Sequence, residues 1–291
     1  MLGWQLEDIP WERFDPKRAS RAHLPLVKAA SLVEANAADY RDYLCNVFAD
    51  DTRMCQQFAN WAVEEQKHGA ALAQWASRMD PDFEFDKAFE EFREGFHIDI
   101  EADSSVRGSQ TGEMLARCMV ETGTNSFYTA LSRSTDEPVL RYICEKIAED
   151  EMAHYWLFHR QMTRFLEAEN LTFFDRLKIA CSRIAETEDD ELAYAWYSAN
   201  KADEPYNRRW HGGAYHSQAL AYYTPSVIRD SVRMICGALG IDPSSVAGYL
   251  ATGVIYLALR FHRLSSLCQV AYFTCARSLS RISENSRTAF S

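Results

Sequence analysis

Two short stretches of the chain, EEQKHG at 64–69 and EDEMAH at 149–154, hold the same pair of side chains, a glutamate followed three positions later by a histidine. Glu65 precedes His68 and Glu151 precedes His154, with the same separation of 86 residues between the two glutamates and between the two histidines. On a helix, each pair lies in an apolar stripe. Phe58, Trp61, Ala62, Glu65, His68, Gly69, Leu72 and Ala76 follow the i, i+3, i+4, i+7 rule, as do Leu140, Ile143, Cys144, Ile147, Glu151, His154, Tyr155 and Phe158. An ionised carboxylate in such a stripe costs too much free energy to stand without a partner. Two further inward acids match them. Glu34 sits among the small residues Ala30, Ser31, Ala37 and Ala38, and Glu121 shares a face with Met114, Cys118, Asn125 and Tyr128. Glu34 lies 31 residues before Glu65, Glu121 lies 30 before Glu151, and 87 residues separate Glu34 from Glu121.

Helices must carry these side chains, and helix signals dominate the chain while hairpin signals are nearly absent. The pattern predicts long helices at about 23–49, 52–78, 109–134 and 137–168, with more helix at about 173–200, 214–239 and 243–280. Asp50-Asp51-Thr52 is expected to cap the second, Asp80-Pro81 to end it, and Thr135-Asp136-Glu137-Pro138 to open the fourth. The run VAGYLATGVIYLAL at 246–259 is short of the roughly 20 residues that span a bilayer and reads as a buried helix, opened by Asp242 as N-cap with Pro243 at the first helical position. SSVRGSQTG at 104–112 reads as the linker between two halves, and the tail RISENSRTAFS is expected to fray. The resulting plan is an N-terminal arm of 1–22, a four-helix bundle of 23–168, and additional helices over 169–291 packed on it as a dimer or substrate-pocket element.

Each of the two helix pairs contributes one lone Glu and one Glu-x-x-His. Four carboxylates and two imidazoles are the inventory of the di-iron or di-manganese site of a ferritin-like four-helix bundle, so the expected fold is all-α, such a bundle with additional C-terminal helices. The expected metal ligands are Glu34, Glu65, His68, Glu121, Glu151 and His154, holding two Fe ions, with Mn the alternative; the missing thiolates argue against zinc or iron–sulfur. Glu64 and Asp150 stand one position before the ligand glutamates. They are either surface acids or acceptors for the free ring N–H of the histidine in the opposite half, a contact that fixes tautomer and orientation.

Over roughly residues 25–165 the chain resembles the soluble acyl-carrier-protein desaturases. NWAVEEQKHGAAL (60–72) is similar to their AEENRHG-type second helix, and VLRYICEKIAEDEMAH (139–154) to their IC…IA.DE..H fourth helix. By motif position the six residues named above fall on the family's iron ligands. Thr124 falls on a threonine that the family places beside the oxygen-binding face; the other reading is a helix threonine bonded back to its own backbone. The chain is shorter than the plant enzymes, and residues 170–291 do not match them. Other members of the superfamily fit less well: Leu72 stands where ribonucleotide reductase small subunits carry a radical tyrosine, Ile147 where arylamine N-oxygenases carry an extra histidine, and simple ferritins are much shorter.

Composition bounds the rest. With a net charge of −11 the chain is not a general nucleic-acid binder. Residues 205–291 hold nine Arg and three acids, net +6, which leaves −17 for residues 1–204. The basic part is either a docking face for an acidic partner or a solvated helical face. Eight cysteines without a CxxC fit a reducing, cytoplasmic compartment, and the N-terminal stretch, with acids and prolines where a signal peptide needs an apolar core, is not expected to act as one. Tyr128, Phe127, Trp156 and Phe158 are candidates to line a dry cavity beside the metal site; the other reading of such aromatic stripes is plain core. The expected activity is that of an oxygen-activating di-iron oxidase or oxygenase, possible chemistries being desaturation, hydroxylation and N-oxygenation. The resemblance implies a lipid-like or carrier-bound acyl substrate, or another small organic one, used with O2 and an electron donor such as ferredoxin; a homodimer without a membrane span is expected. The alternative is a non-catalytic iron-storage or oxidative-stress protein with a ferroxidase site.

Overall fold

The computed structural model describes residues 3–185, 190–200 and 205–288, and the side chains of all of these except 184–185 and 276–288. The described residues are all-α. They form α1 (Leu24–Ala35), α2 (Ala37–Val47), α3 (Thr52–Met79), α4 (Phe85–Gly95), α5 (Gln110–Ser134), α6 (Pro138–Glu169), α7 (Phe173–Ala185), α8 (Asp190–Ala199), α9 (Arg208–Ala219), α10 (Pro225–Leu239) and α11 (Val246–Thr288), without a strand. Two short 3-10 turns, Leu6–Asp8 and Trp11–Arg13, precede α1.

The three longest helices of the first 170 residues start at side-chain caps. Asp51 accepts from Met54 N–H at 3.0 Å, Ser109 from Gly112 N–H at 2.9 Å, and Glu137 from Leu140 N–H at 2.6 Å with Pro138 next to it. Each cap satisfies a donor that the first helical turn leaves unpaired. At its far end, α3 stops at Asp80, before Pro81.

Several boundaries differ from the sequence reading. The helix expected over 23–49 is interrupted at Asn36 (φ −82°, ψ 6°), which separates α1 from α2. Just there α1 presses backbone to backbone on α3: a β-carbon on Gly69 would lie 2.8 Å from Ala35 N and 3.0 Å from Ser31 O. Apolar periodicity continues through a one-residue interruption and does not register it. α4 was not expected, and it places a helix inside the connection between the halves, which is therefore longer than 104–112. Its rings line up along the helix, Phe85 with Phe89 at 5.7 Å and Phe92 with Phe96 at 5.6 Å between centroids. The helix expected over 214–239 is two helices, because Pro225 lacks the N–H that a continuous helix requires and instead starts α10 behind the Thr224 cap. The helix expected over 173–200 is described as α7 and α8, with 186–189 outside the described residues.

α11 departs most. Asp242 caps a turn, accepting Ser244 N–H at 2.8 Å and Ser244 Oγ–H at 2.7 Å, so Pro243 precedes the helix rather than opening it. Nor is the run 246–259 buried: Val246, Tyr249, Leu250, Val254 and Leu257 are between 65% and 76% exposed. No helix among the described residues is long and apolar enough to cross a membrane. The tail RISENSRTAFS, expected to fray, is helical as far as Thr288, and 289–291 lie outside the described residues.

Around the first four long segments, the remaining helices act as a jacket. The α10 side meets α5 and α6 through Ser126 Oγ, 2.5 Å from Ser231 Oγ, and Tyr155 O–H, which donates to Met234 O at 2.7 Å. On the α1 side, Asn200 donates to Pro25 O at 3.1 Å, and Tyr215 of α9 stacks on Phe127 at 6.3 Å. The N-terminal arm lies across α3 and α6: Trp11 stacks under the Arg78 guanidinium, and Asp15 N–H donates to Glu137 Oε1.

Candidate metal centre

Glu34 comes from the last turn of α1, Glu65 and His68 from the middle of α3, Glu121 from α5, and Glu151 and His154 from α6. All six are buried, none more than 6% exposed. They form two overlapping groups: Glu34, Glu65, His68 and Glu151 in one, Glu65, Glu121, Glu151 and His154 in the other. Within each group one ligand atom per residue lies within 4.8 Å of all the others. Glu65 and Glu151 belong to both.

The histidines face inward through Nδ1. His68 Nδ1 stands 3.3 Å from Glu65 Oε2, 3.3 Å from Glu151 Oε1 and 3.7 Å from Glu34 Oε2. His154 Nδ1 stands 3.0 Å from Glu65 Oε1, 3.7 Å from Glu121 Oε2 and 4.0 Å from Glu151 Oε2. Their outer nitrogens meet the two acids that precede the shared glutamates. His68 Nε2 is 3.0 Å from Asp150 Oδ2, and His154 Nε2 is 2.8 Å from Glu64 Oε2. One residue is a rotation of about 100° on a helix, so Asp150 and Glu64 leave the stripe of their own helix and reach the imidazole of the facing one.

A second layer of donors holds these acids. Thr124 Oγ1–H donates to Glu151 Oε2 at 2.6 Å, with Glu121 O and Val120 O as longer backbone acceptors at 3.2 and 3.3 Å. Tyr128 O–H donates to Glu34 Oε1. Asp150 receives Trp4 Nε1–H at 2.8 Å and Lys67 Nζ at 3.1 Å, and the Lys67 ammonium sits 4.3 Å above the Trp4 ring. Trp61 closes the other end, edge-on to His154 at 6.5 Å and to Phe158 at 5.7 Å.

The metal-free site is an electrostatic problem solved with protons. Burial raises Glu34 well above the usual carboxylate range, and Glu65 beside it adds to the rise; burial likewise raises Glu121, helped by Glu151 and Glu65. Glu65 goes the other way: burial would raise it, but hydrogen bonding from Glu34 and both histidines holds it well below. Burial pushes both imidazoles down, yet the carboxylates outweigh it. His68 is held well above its ordinary value by Asp150, Glu151, Glu34 and Glu65, and His154 is raised to about 10 chiefly by Glu65 and Glu64.

Divalent cations would replace those protons. The donor set fits them: Glu121 Oε1, Glu151 Oε1 and His154 Nδ1 are buried without an aligned hydrogen-bond partner, although such atoms normally find one. Oxygen and imidazole donors without thiolate suit iron or manganese. These buried glutamates and histidines could hold a metal ion.

The nine site residues singled out by sequence, the six ligands with Glu64, Asp150 and Thr124, come together, and Tyr128 joins them. Phe127 and Phe158 are buried in the surrounding core, but Trp156 is 52% exposed and lines no interior, because it follows Tyr155 out of the stripe. Trp4 and Lys67 were missed. Lys67 lies between Glu65 and His68, a local hint; Trp4 is 146 residues from Asp150 and carries no local signal. No protein-family model matches the chain, and no curated protein matches it.

Proposed function

We propose that this chain is an oxygen-activating di-iron oxidase or oxygenase of ferritin-like architecture, acting on an acyl or other lipid-like substrate. The observation that carries the reading is the sharing of Glu65 and Glu151 between two buried Glu/His groups, an arrangement suited to two neighbouring cations. Glu34 with His68 and Glu121 with His154 would complete the two ligand sets. Bound iron would supply the redox chemistry for reducing O2. The desaturase-like motifs at 60–72 and 139–154 support an acyl substrate and a ferredoxin-type electron donor.

The chain's own residues would prepare the site in three ways. Asp150 and Glu64 accept the outer ring N–H of His68 and His154, which keeps each Nδ1 free to face the carboxylates. Thr124 holds its proton at Glu151 Oε2 and Tyr128 holds its own at Glu34 Oε1, so neither carboxylate can rotate freely. Burial of all six groups excludes water that would compete for the same positions.

Anaerobic reconstitution with Fe(II) tests the reading. Metal analysis should find close to two ions per chain, falling towards one in Glu34→Ala; one ion in the wild type, unchanged by Glu34→Ala, overturns the dinuclear assignment. Mass spectrometry of molecules retained by the native protein should find an acyl chain. Continued Fe(II) uptake with a growing ferric mineral would assign the protein to iron storage instead.

A further inference from the structure

The side of α11 that faces away from the rest of the chain is apolar and regularly spaced. Leu250, Val254, Leu257, Phe261, Leu264 and Cys268 recur at alternating steps of four and three residues, a heptad repeat with Val254, Phe261 and Cys268 at a and the three leucines at d. Every one is exposed, Phe261 to 74% and Leu257 to 67%. Between 255 and 266 the b, c and f positions turn inward. Ile255, Tyr256 and Leu259 pack against Ile228, Val232 and Cys236 of α10, and Arg263 Nε donates to Ser217 O at the end of α9 at 3.2 Å. The helix is thus apolar on both sides, a pattern that in water needs cover on both.

The spacing and the area identify the cover. A 3.5-residue seam stays in contact only with another helix that winds around it, since a lone helix drifts away from it by about 20° per heptad. Nine large apolar side chains between Val246 and Tyr272 are exposed; they present on the order of 1,000 Å2, more than the roughly 300–600 Å2 of a monomer's largest patch and above the roughly 800 Å2 per partner of a stable interface. Arg260 is the only charged residue exposed between 246 and 275. An amphipathic helix made for an anionic lipid surface would show a basic polar face there. We propose that α11 is a dimerisation helix, along which a second copy of this chain lays its own α11 as a two-stranded coiled coil. Self-pairing of one repeat closes a two-fold and leaves no open end. The proposal does not depend on the metal reading.

Sedimentation of the full-length chain at micromolar concentration should give the mass of a dimer, and Leu257→Glu combined with Phe261→Glu should halve it while helicity and Fe(II) binding stay unchanged. A monomeric wild type overturns the proposal, and so does a dimer that survives the double substitution. A wild type that stays monomeric and floats with phosphatidylcholine–phosphatidylserine vesicles assigns the face to lipid instead. Should the double variant fail to fold, hydrogen exchange on the wild type decides. Protection of amides 250–268 should rise with protein concentration, and protection independent of concentration overturns the proposal.

Discussion

Gly69 is the point where α1 touches α3, and replacing it with alanine tests whether that contact sets the position of Glu34. The added β-carbon would lie 2.8 Å from Ala35 N, 3.0 Å from Ser31 O and 3.1 Å from Ala35 Cα, where ordinary contact begins at 3.4 Å. All three atoms are backbone. The helices must separate by roughly half an ångström, and overpacking of this kind costs about 1–3 kcal/mol. Alanine gains about 0.8–1 kcal/mol over glycine in a helix interior, so the net effect is a loss of up to about 2 kcal/mol. Gly123 of α5 is the control, because nothing lies within 4 Å of a β-carbon there; Gly123→Ala should only stabilise, by about 1 kcal/mol. The displacement is also directed. Glu34 adjoins Ala35 and belongs only to the group that contains His68, so Gly69→Ala should weaken one Fe(II)-binding step, about tenfold for each 1.4 kcal/mol, and spare the other. Urea unfolding of the metal-free protein and anaerobic calorimetric titration check both effects. Equal stability of the two variants, or equal weakening of both binding steps, would refute the reasoning.

Loading divalent ions near neutral pH should release protons, because Glu34, Glu121 and both histidines are held above their ordinary values; an indicator dye in weak buffer measures this, and the absence of any release would contradict those directions. Because His154 is raised to about 10 from an unfolded value near 6.5, its contribution to metal-free stability is complete below about pH 6.5 and is lost as pH rises through about 10, a fall on the order of a few kcal/mol. Chemical unfolding across that window should show the fall in the wild type and a smaller one in His154→Ala. Thr124→Val removes the hydrogen bond to Glu151, which should cost about 1.5–3 kcal/mol of metal-free stability while iron still binds; under the proposed function, peroxide released per O2 consumed should rise, and an unchanged melting temperature and peroxide yield would return Thr124 to an ordinary helix residue. Asp150→Asn and Glu64→Gln should each lower metal affinity by about 10–100-fold, and titration should show the two substitutions acting on different binding steps.

The helical period and the caps are local properties, and the sequence by itself determined what depends on them: an all-α chain, the starts of α3, α5 and α6, and the inward direction of Glu65, His68, Glu151 and His154. A period of 3.6 residues says which side chains share a face. It does not say which faces meet. That Glu65 and Glu151 belong to both groups, that His68 meets Asp150 rather than solvent, and that Trp4 of the arm reaches the same carboxylate are outcomes of packing between segments 82 to 146 residues apart. The break at Asn36 likewise belongs to the tertiary structure, since it lies where the backbone of α1 meets Gly69. On α11 the two sources of information differ most. Its apolar run reads as buried, but a chain has only so many neighbours to offer, and the packing of α9 and α10 against one side leaves Leu250 to Cys268 facing outward.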